Sequence, residues 1–211
     1  GARLGFLIAI TGLAGWMMSM AIIWAVYGIG LKGPMPTWHP SEPITIVRDG
    51  ALLNRTEVVE GSSDLKGLDS IASAKKVSDL LVSEGWNTLG ESDPQRGQAV
   101  ASSDEILING AEEFGAGEFV SVSVFNRGGE RWPKINESLD FFAFFHEPRF
   151  ALVEVAPIVP QRVEPGRAPA RPKIDETQER RYVYMIRDLG NKRQPAMLIT
   201  LGSFLIFAVV C

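Results

Sequence analysis

The chain has 211 residues, 25 of them acidic and 21 basic, for a formal charge of −4. All the acidic and 19 of the basic residues lie between two apolar runs, so residues 33–194 carry −6, which argues against nucleic acid or an anionic lipid surface as a partner. The single cysteine, Cys211, excludes a disulfide framework and is compatible with either redox compartment.

Leu4 through Leu31 contain no charge and lie between Arg3 and Lys32. As a helix this run spans about 42 Å, more than the roughly 30 Å of a bilayer's hydrocarbon core. A secretory signal would have an apolar stretch of about 7–15 residues and a small-residue cleavage site. Gly30-Leu31-Lys32-Gly33 is no such site, so residues 4–31 read as a first transmembrane helix. Trp24, Tyr27 and Lys32 are its expected interfacial anchors, joined by Trp38 in the stiff segment from Gly33 to Pro40. Gly5, Ala9, Gly12, Gly15 and Ser19 recur at steps of three and four, a ridge of small residues on which another helix can pack closely. The competing explanation is that glycine is simply common in transmembrane helices.

Residues 33–194 are long enough for one folded domain. Ile44 to Val47 reads as a strand. Asp69 is placed to cap a helix to about Ser83, with Ala74, Val77 and Leu81 on one face and Gly85 ending it. Ser92-Asp93-Pro94-Gln95 supplies a cap, a proline at the first helical position and a glutamine three residues after Ser92, opening a second helix to about Ser103. Gly115-Ala116-Gly117 precedes a strand rather than a helix, so it reads as a turn and not a phosphate loop. In Glu118 to Asn126 strict alternation puts Val120, Val122 and Val124 on one face, with Phe119, Ser121, Ser123 and Phe125 on the other. Gly128-Gly129 makes the next turn, and Arg149 to Val155 and Arg181 to Arg187 supply two more strands.

Two stretches of this domain are candidates for docking a partner. Phe141, Phe142, Phe144 and Phe145 form an aromatic burst that fits a core beneath the sheet, an exposed patch or a loop dipping into the membrane interface. Residues 157–172 hold Pro157, Pro160, Pro165, Pro169 and Pro172 with three arginines, an extended arm that serves equally as a plain linker or as a strap across a partner. From Pro195 to Cys211 the chain is apolar again and spans about 25 Å, a second transmembrane helix expected to continue beyond the residues given. The expected fold is therefore a membrane protein, with two transmembrane helices flanking one α+β extracytoplasmic domain built on an antiparallel sheet. Lys192 and Arg193 beside the second run favour a cytoplasmic domain, while two short tails and one large loop favour an exported one, which is the orientation adopted.

Chemistry is sparse in this sequence. His39 and His146 are far apart, and neither has a cysteine or carboxylate at metal-ligand spacing. There is no C-x-x-C-H for covalent haem and no G-x-S-x-G, so no catalytic residue, metal or cofactor is expected.

The segments GWMMSMAIIWAVYGIGLKGP, MIRDLGNKRQPAMLITLGS and SDPQRGQAVASSDEILI resemble those of two-pass actinobacterial membrane proteins associated with haem-copper respiratory oxidases. That resemblance implies an accessory subunit of a respiratory complex, such as a cytochrome bc–oxidase supercomplex in the plasma membrane, without redox centres of its own. Its implied partners are integral membrane subunits and the lipid bilayer. An exported ligand-binding or assembly-factor domain is the alternative from a different functional class.

Overall fold

The computed structural model describes residues 1–56, 59–61, 65, 67–132, 145–160, 171–188, 190 and 192–211; at 131, 145 and 146 the backbone alone is described. The chain forms two units, a helical one from its ends and a sheet domain from its middle.

In the first unit, helix α1 (Ala2–Tyr27) ends at Gly28, whose φ of 62° closes it with the left-handed cap that glycine adopts without a Cβ clash. It is long and apolar enough to cross a membrane. Helix α4 (Gln194–Val210) is apolar but has only 17 residues, about 25 Å at helical rise. The two run antiparallel, with Gly15 facing Phe207 and Gly28 beside Lys192, and the Gly33 amide donates to the Lys192 carbonyl at 3.0 Å. Their seam is made of small side chains, Ala14, Ala21 and Ala25 on α1 and Ala196 and Ser203 on α4, all buried. Spacings of seven and four keep these residues on one stripe, as in a coiled coil. Hydroxyls are satisfied within their own helix: Ser19 donates to the Gly15 carbonyl and Thr200 to that of Ala196.

The sheet domain has strands β1 (Thr37–Pro40), β2 (Ile46–Val47), β3 (Asn87–Thr88), β4 (Phe119–Gly128), β7 (Arg149–Pro157) and β8 (Arg181–Asp188). Their order is β1-β8-β7-β4-β3, with β2 also on β8, and the pairings of β2, β3, β4, β7 and β8 are antiparallel. Beyond the Gly128-Gly129 turn, β5 (Arg131–Trp132) and β6 (Phe145–His146) form a short antiparallel ribbon.

Helix α2 (Ser70–Ser83) begins at Asp69, whose carboxylate accepts from the Ala72 amide at 2.7 Å, and Gly85 follows its end at φ 84°. Helix α3 (Pro94–Glu105) is capped by Asp93 rather than Ser92, and a wider turn continues it from Ile106 to Gly110. The two helices lie on opposite faces of the sheet. Leu152, Tyr182 and Tyr184 pack with Val77 and Leu81 of α2, while Val153, Val155, Val183 and Met185 pack with Ala99 of α3 and Leu107 beyond it. A three-layer stack results, and Ala151 through Pro157 are buried without interruption because both faces of β7 are covered.

Two sequence expectations are revised here. Val122 is an extra residue in β4, since Ser121 pairs with Val155 but Ser123 with Glu154. This bulge reverses the alternation, so Phe119 and Val124 both face α3 and the valines share no single face. Trp38 is no interfacial anchor: β1 turns it into the α3-side core at 6% exposure, with the Arg187 guanidinium 5.3 Å over its ring. The chain on either side of the proline-rich segment is paired, Ile158 with Ile174, and the Val159 amide donates to the Lys173 carbonyl at 2.9 Å, while residues 161–170 fall outside the described residues. Pro157 is the buried last residue of β7 and Pro160 is exposed, while Pro165, Pro169, Phe141, Phe142 and Phe144 fall outside the described residues.

Candidate functional site

The helical unit presents two different small-residue faces. At about 100° per residue, Gly5, Ala9, Gly12 and Ser19 lie roughly half a turn from Ala14, Ala21 and Ala25. The alanine stripe is filled by α4, whereas Gly5, Ala9, Gly12 and Ser19 are all exposed. Among the described residues, a Cβ at Gly5 or Gly12 would meet no atom within 4 Å. Gly15 sits at the border, where a Cβ would lie 3.3 Å from the Phe207 ring. The expected packing ridge is thus not the contact with the chain's own second helix, and no described residue covers it on the far side.

Of the anchors, Tyr27 is 73% exposed and Lys32 is exposed. Trp24 is half-buried, because Gly30 at φ 72° brings the chain back over its indole ring. The rest of the exposed surface of α1 and α4 carries large apolar side chains, among them Leu4, Phe6, Ile8, Trp16, Leu201 and Phe204. In water such a surface would be costly; facing hydrocarbon it is not.

In the sheet domain, a cavity of about 560 Å³ opens on the α2 side. Its base is Tyr182 of β8, 2% exposed, beside Arg180, whose guanidinium is held by the carboxylate of Glu154. Glu154 is itself 3% exposed in the middle of β7, where only a paired carboxylate can be buried at low cost. Asp49 and Asp69 flank the opening, each fixed by a cap, since Asp49 accepts from the Ala51 amide at 2.8 Å. Glu176 and Glu179 are exposed at its mouth. Burial first, and then the Glu154 carboxylate, push the Tyr182 phenol well above its ordinary range, so it stays protonated. The sequence signal for this group was a lone glutamate in the apolar strand RFALVEV, which alternation alone would have placed on a solvent face.

A second cavity, of about 500 Å³, lies between α3 and the start of β4. Arg96 crosses beside it to donate to the carbonyls of Leu89 and Val122, at 3.2 and 3.0 Å. Those two bonds occupy sheet-edge acceptors where β4 outruns its short neighbour β3. The nearby Asp104 has one buried carboxylate oxygen without a partner, and burial raises its pKa.

Neither cavity holds a recognisable catalytic constellation. Among the described residues no three His, Cys, Asp or Glu side chains converge as metal ligands, and His39 is exposed on β1. No family model, curated protein or solved structure matches the chain.

Proposed function

We propose that this protein is a non-catalytic accessory subunit of a larger integral membrane assembly, anchored by α1 and α4 as a two-pass hairpin with the sheet domain outside the cytoplasm. The observation that carries this reading is the pair of opposed faces on α1. The alanine stripe serves the chain's own hairpin, and the glycine stripe is a surface of small residues left over for another transmembrane helix. Apolar side chains around the remainder of both helices suit a lipid setting. The sequence resemblance supplies the partner class, cytochrome bc and haem-copper oxidase subunits, which the protein would hold in register without carrying electrons itself. The loop pinned at Ile158 and Ile174 is suited to reach a neighbouring subunit from a fixed base.

The test is purification of the tagged chain in mild detergent, with mass spectrometry of its partners and a haem spectrum of the eluate. Near-stoichiometric membrane subunits with haem bands are expected from the native chain. Gly12→Leu should lose them while keeping the hairpin folded, since a side chain there meets nothing among the described residues. A colourless protein recovered alone would overturn the reading in favour of a ligand-binding or assembly-factor domain, for which the α2-side cavity is the specific support.

A further inference from the structure

The helical unit carries an imbalance of charge that its own packing does not use. Among its described residues, 1–37, 190 and 192–211, the charged side chains are Arg3, Lys32, Lys192 and Arg193, with no aspartate or glutamate. Lys32, Lys192 and Arg193 all lie at the end of the hairpin where the chain leaves for the sheet domain. The Gly33 amide donates to the Lys192 carbonyl at 3.0 Å, which sets the exposed Lys32 beside the residues that enter α4. The heads of Lys192 and Arg193 fold back over the end of α1, since a Cβ on Gly28 would lie 3.3 Å from Lys192 Nζ and 3.9 Å from Arg193 Nε. Two cationic groups are thus held near one point. The carbonyls that end α1 attract them with a partial charge of about half an electron. That pull does not account for the cluster, because the N-terminus of α4 opens beside it with the opposite partial charge and no side-chain cap. Exposed apolar side chains begin within two turns of the cations, Ile23 and Val26 on α1 and Leu198 on α4. Positive heads above an apolar surface match a phosphate above acyl chains.

We propose that this end of the hairpin binds the phosphate of an anionic phospholipid, with Lys192 and Arg193 as the principal donors, Lys32 as a third cation, and the acyl chains along Ile23, Val26 and Leu198. The proposal rests on the reading of α1 and α4 as membrane-spanning. The −6 on residues 33–194 opposes adsorption of the whole domain to an anionic surface, but a phosphate in contact responds first to the charges within hydrogen-bonding reach. Lys192 and Arg193 then serve to hold a lipid, so their place beside α4 is compatible with a domain outside the cytoplasm.

The experiment titrates the full chain in a neutral detergent with phosphatidylglycerol and, in parallel, with phosphatidylcholine, counting bound lipid by native mass spectrometry. Flotation with phosphatidylcholine vesicles checks membrane insertion separately. One phosphatidylglycerol per chain should bind about fivefold more tightly than phosphatidylcholine, as charge-assisted contacts to a phosphate allow. Lys192→Gln/Arg193→Gln should remove that preference, and Lys32→Gln, at an exposed position, should weaken phosphatidylglycerol about twofold. Lys75→Gln/Lys76→Gln, the same change of charge at exposed positions of α2, should leave it unchanged. Millimolar inorganic phosphate should not displace the lipid. The proposal is overturned if the two lipids bind equally, or if Lys192→Gln/Arg193→Gln keeps the preference. It is equally overturned if the α2 variant loses as much, or if inorganic phosphate competes, which would make the site one for free anions. A chain that does not float loses the membrane reading and this proposal together, whereas a chain that floats without a lipid preference loses this proposal alone.

Discussion

Glu113 shows how single side chains tie this domain together. Its carboxylate accepts from Arg48 at 2.7 Å and from Arg181 at 3.2 Å, joining the turn after α3 to the chain after β2 and to the start of β8. The hydrogen bond from Arg48 does most to hold Glu113 below the ordinary carboxylate range, against the opposing effect of burial, with Arg181 assisting. A depressed carboxylate stabilises the fold above its unfolded pKa, and that contribution fades as pH falls through the folded value. Glu113→Gln should therefore cost about 1 kcal/mol at neutral pH, a figure kept small by the exposure of Arg48, and the deficit should close in acid when unfolding is followed against pH. Asp104 has the opposite sign. Burial raises it, so its ionised form costs stability as pH rises, and Asp104→Asn should raise the Tm at neutral pH by up to about 1 kcal/mol in stability. Neither environment was legible beforehand, because each depends on residues far apart in the chain. Trp38 misled for a related reason: its neighbours spell a membrane exit, and only the pairing of β1 turns it inward.

At the scale of elements, local signals were legible and faces were not. Asp69 and Gly85 bracket α2 as expected, because a cap and a left-handed glycine act on their own few residues. The strands near Arg149 and Arg181 were equally readable. The bulge at Val122 was not, since one inserted residue leaves the composition of a strand unchanged and alters only its partner's register. On α1 the sequence holds two small-residue stripes, and spacing alone could not decide which one α4 covers. Ala21 is fully buried in that seam, so Ala21→Leu should overpack it by about 1–3 kcal/mol. Lower thermal stability of the hairpin, or loss of a cysteine crosslink between α1 and α4, would report it. The proline-rich loop gives a contrasting expectation. Because Val159 and Lys173 are already hydrogen-bonded neighbours, replacing residues 160–172 with Asn-Gly should leave the sheet domain folded with nearly the same Tm, while partner recovery falls.

Across the whole molecule, the antiparallel sheet was expected, but its layering was not. A strand buried on both faces loses the polar alternation by which a half-exposed strand is recognised, and β7 is such a strand. The candidate sites divide the same way. The small-residue ridge could be located in sequence though not assigned to a partner, and the α2-side cavity draws on three separate stretches of chain that no local pattern connects.

The sheet order also sets a timetable for biosynthesis. Strands β1 and β2 precede the rest of the sheet in the chain, yet their partner β8 is the last of the sheet's described strands, ahead of α4. Until β8 arrives, both early strands and one edge of β7 lack their neighbour, so closure of the domain waits on pairings between the two ends of its sequence. An interrupted product thus displays three open strand edges at once, a state that invites aggregation or proteolysis. The arrival of one eight-residue strand conceals all three together, so that the sheet closes in a single step once β8 is made.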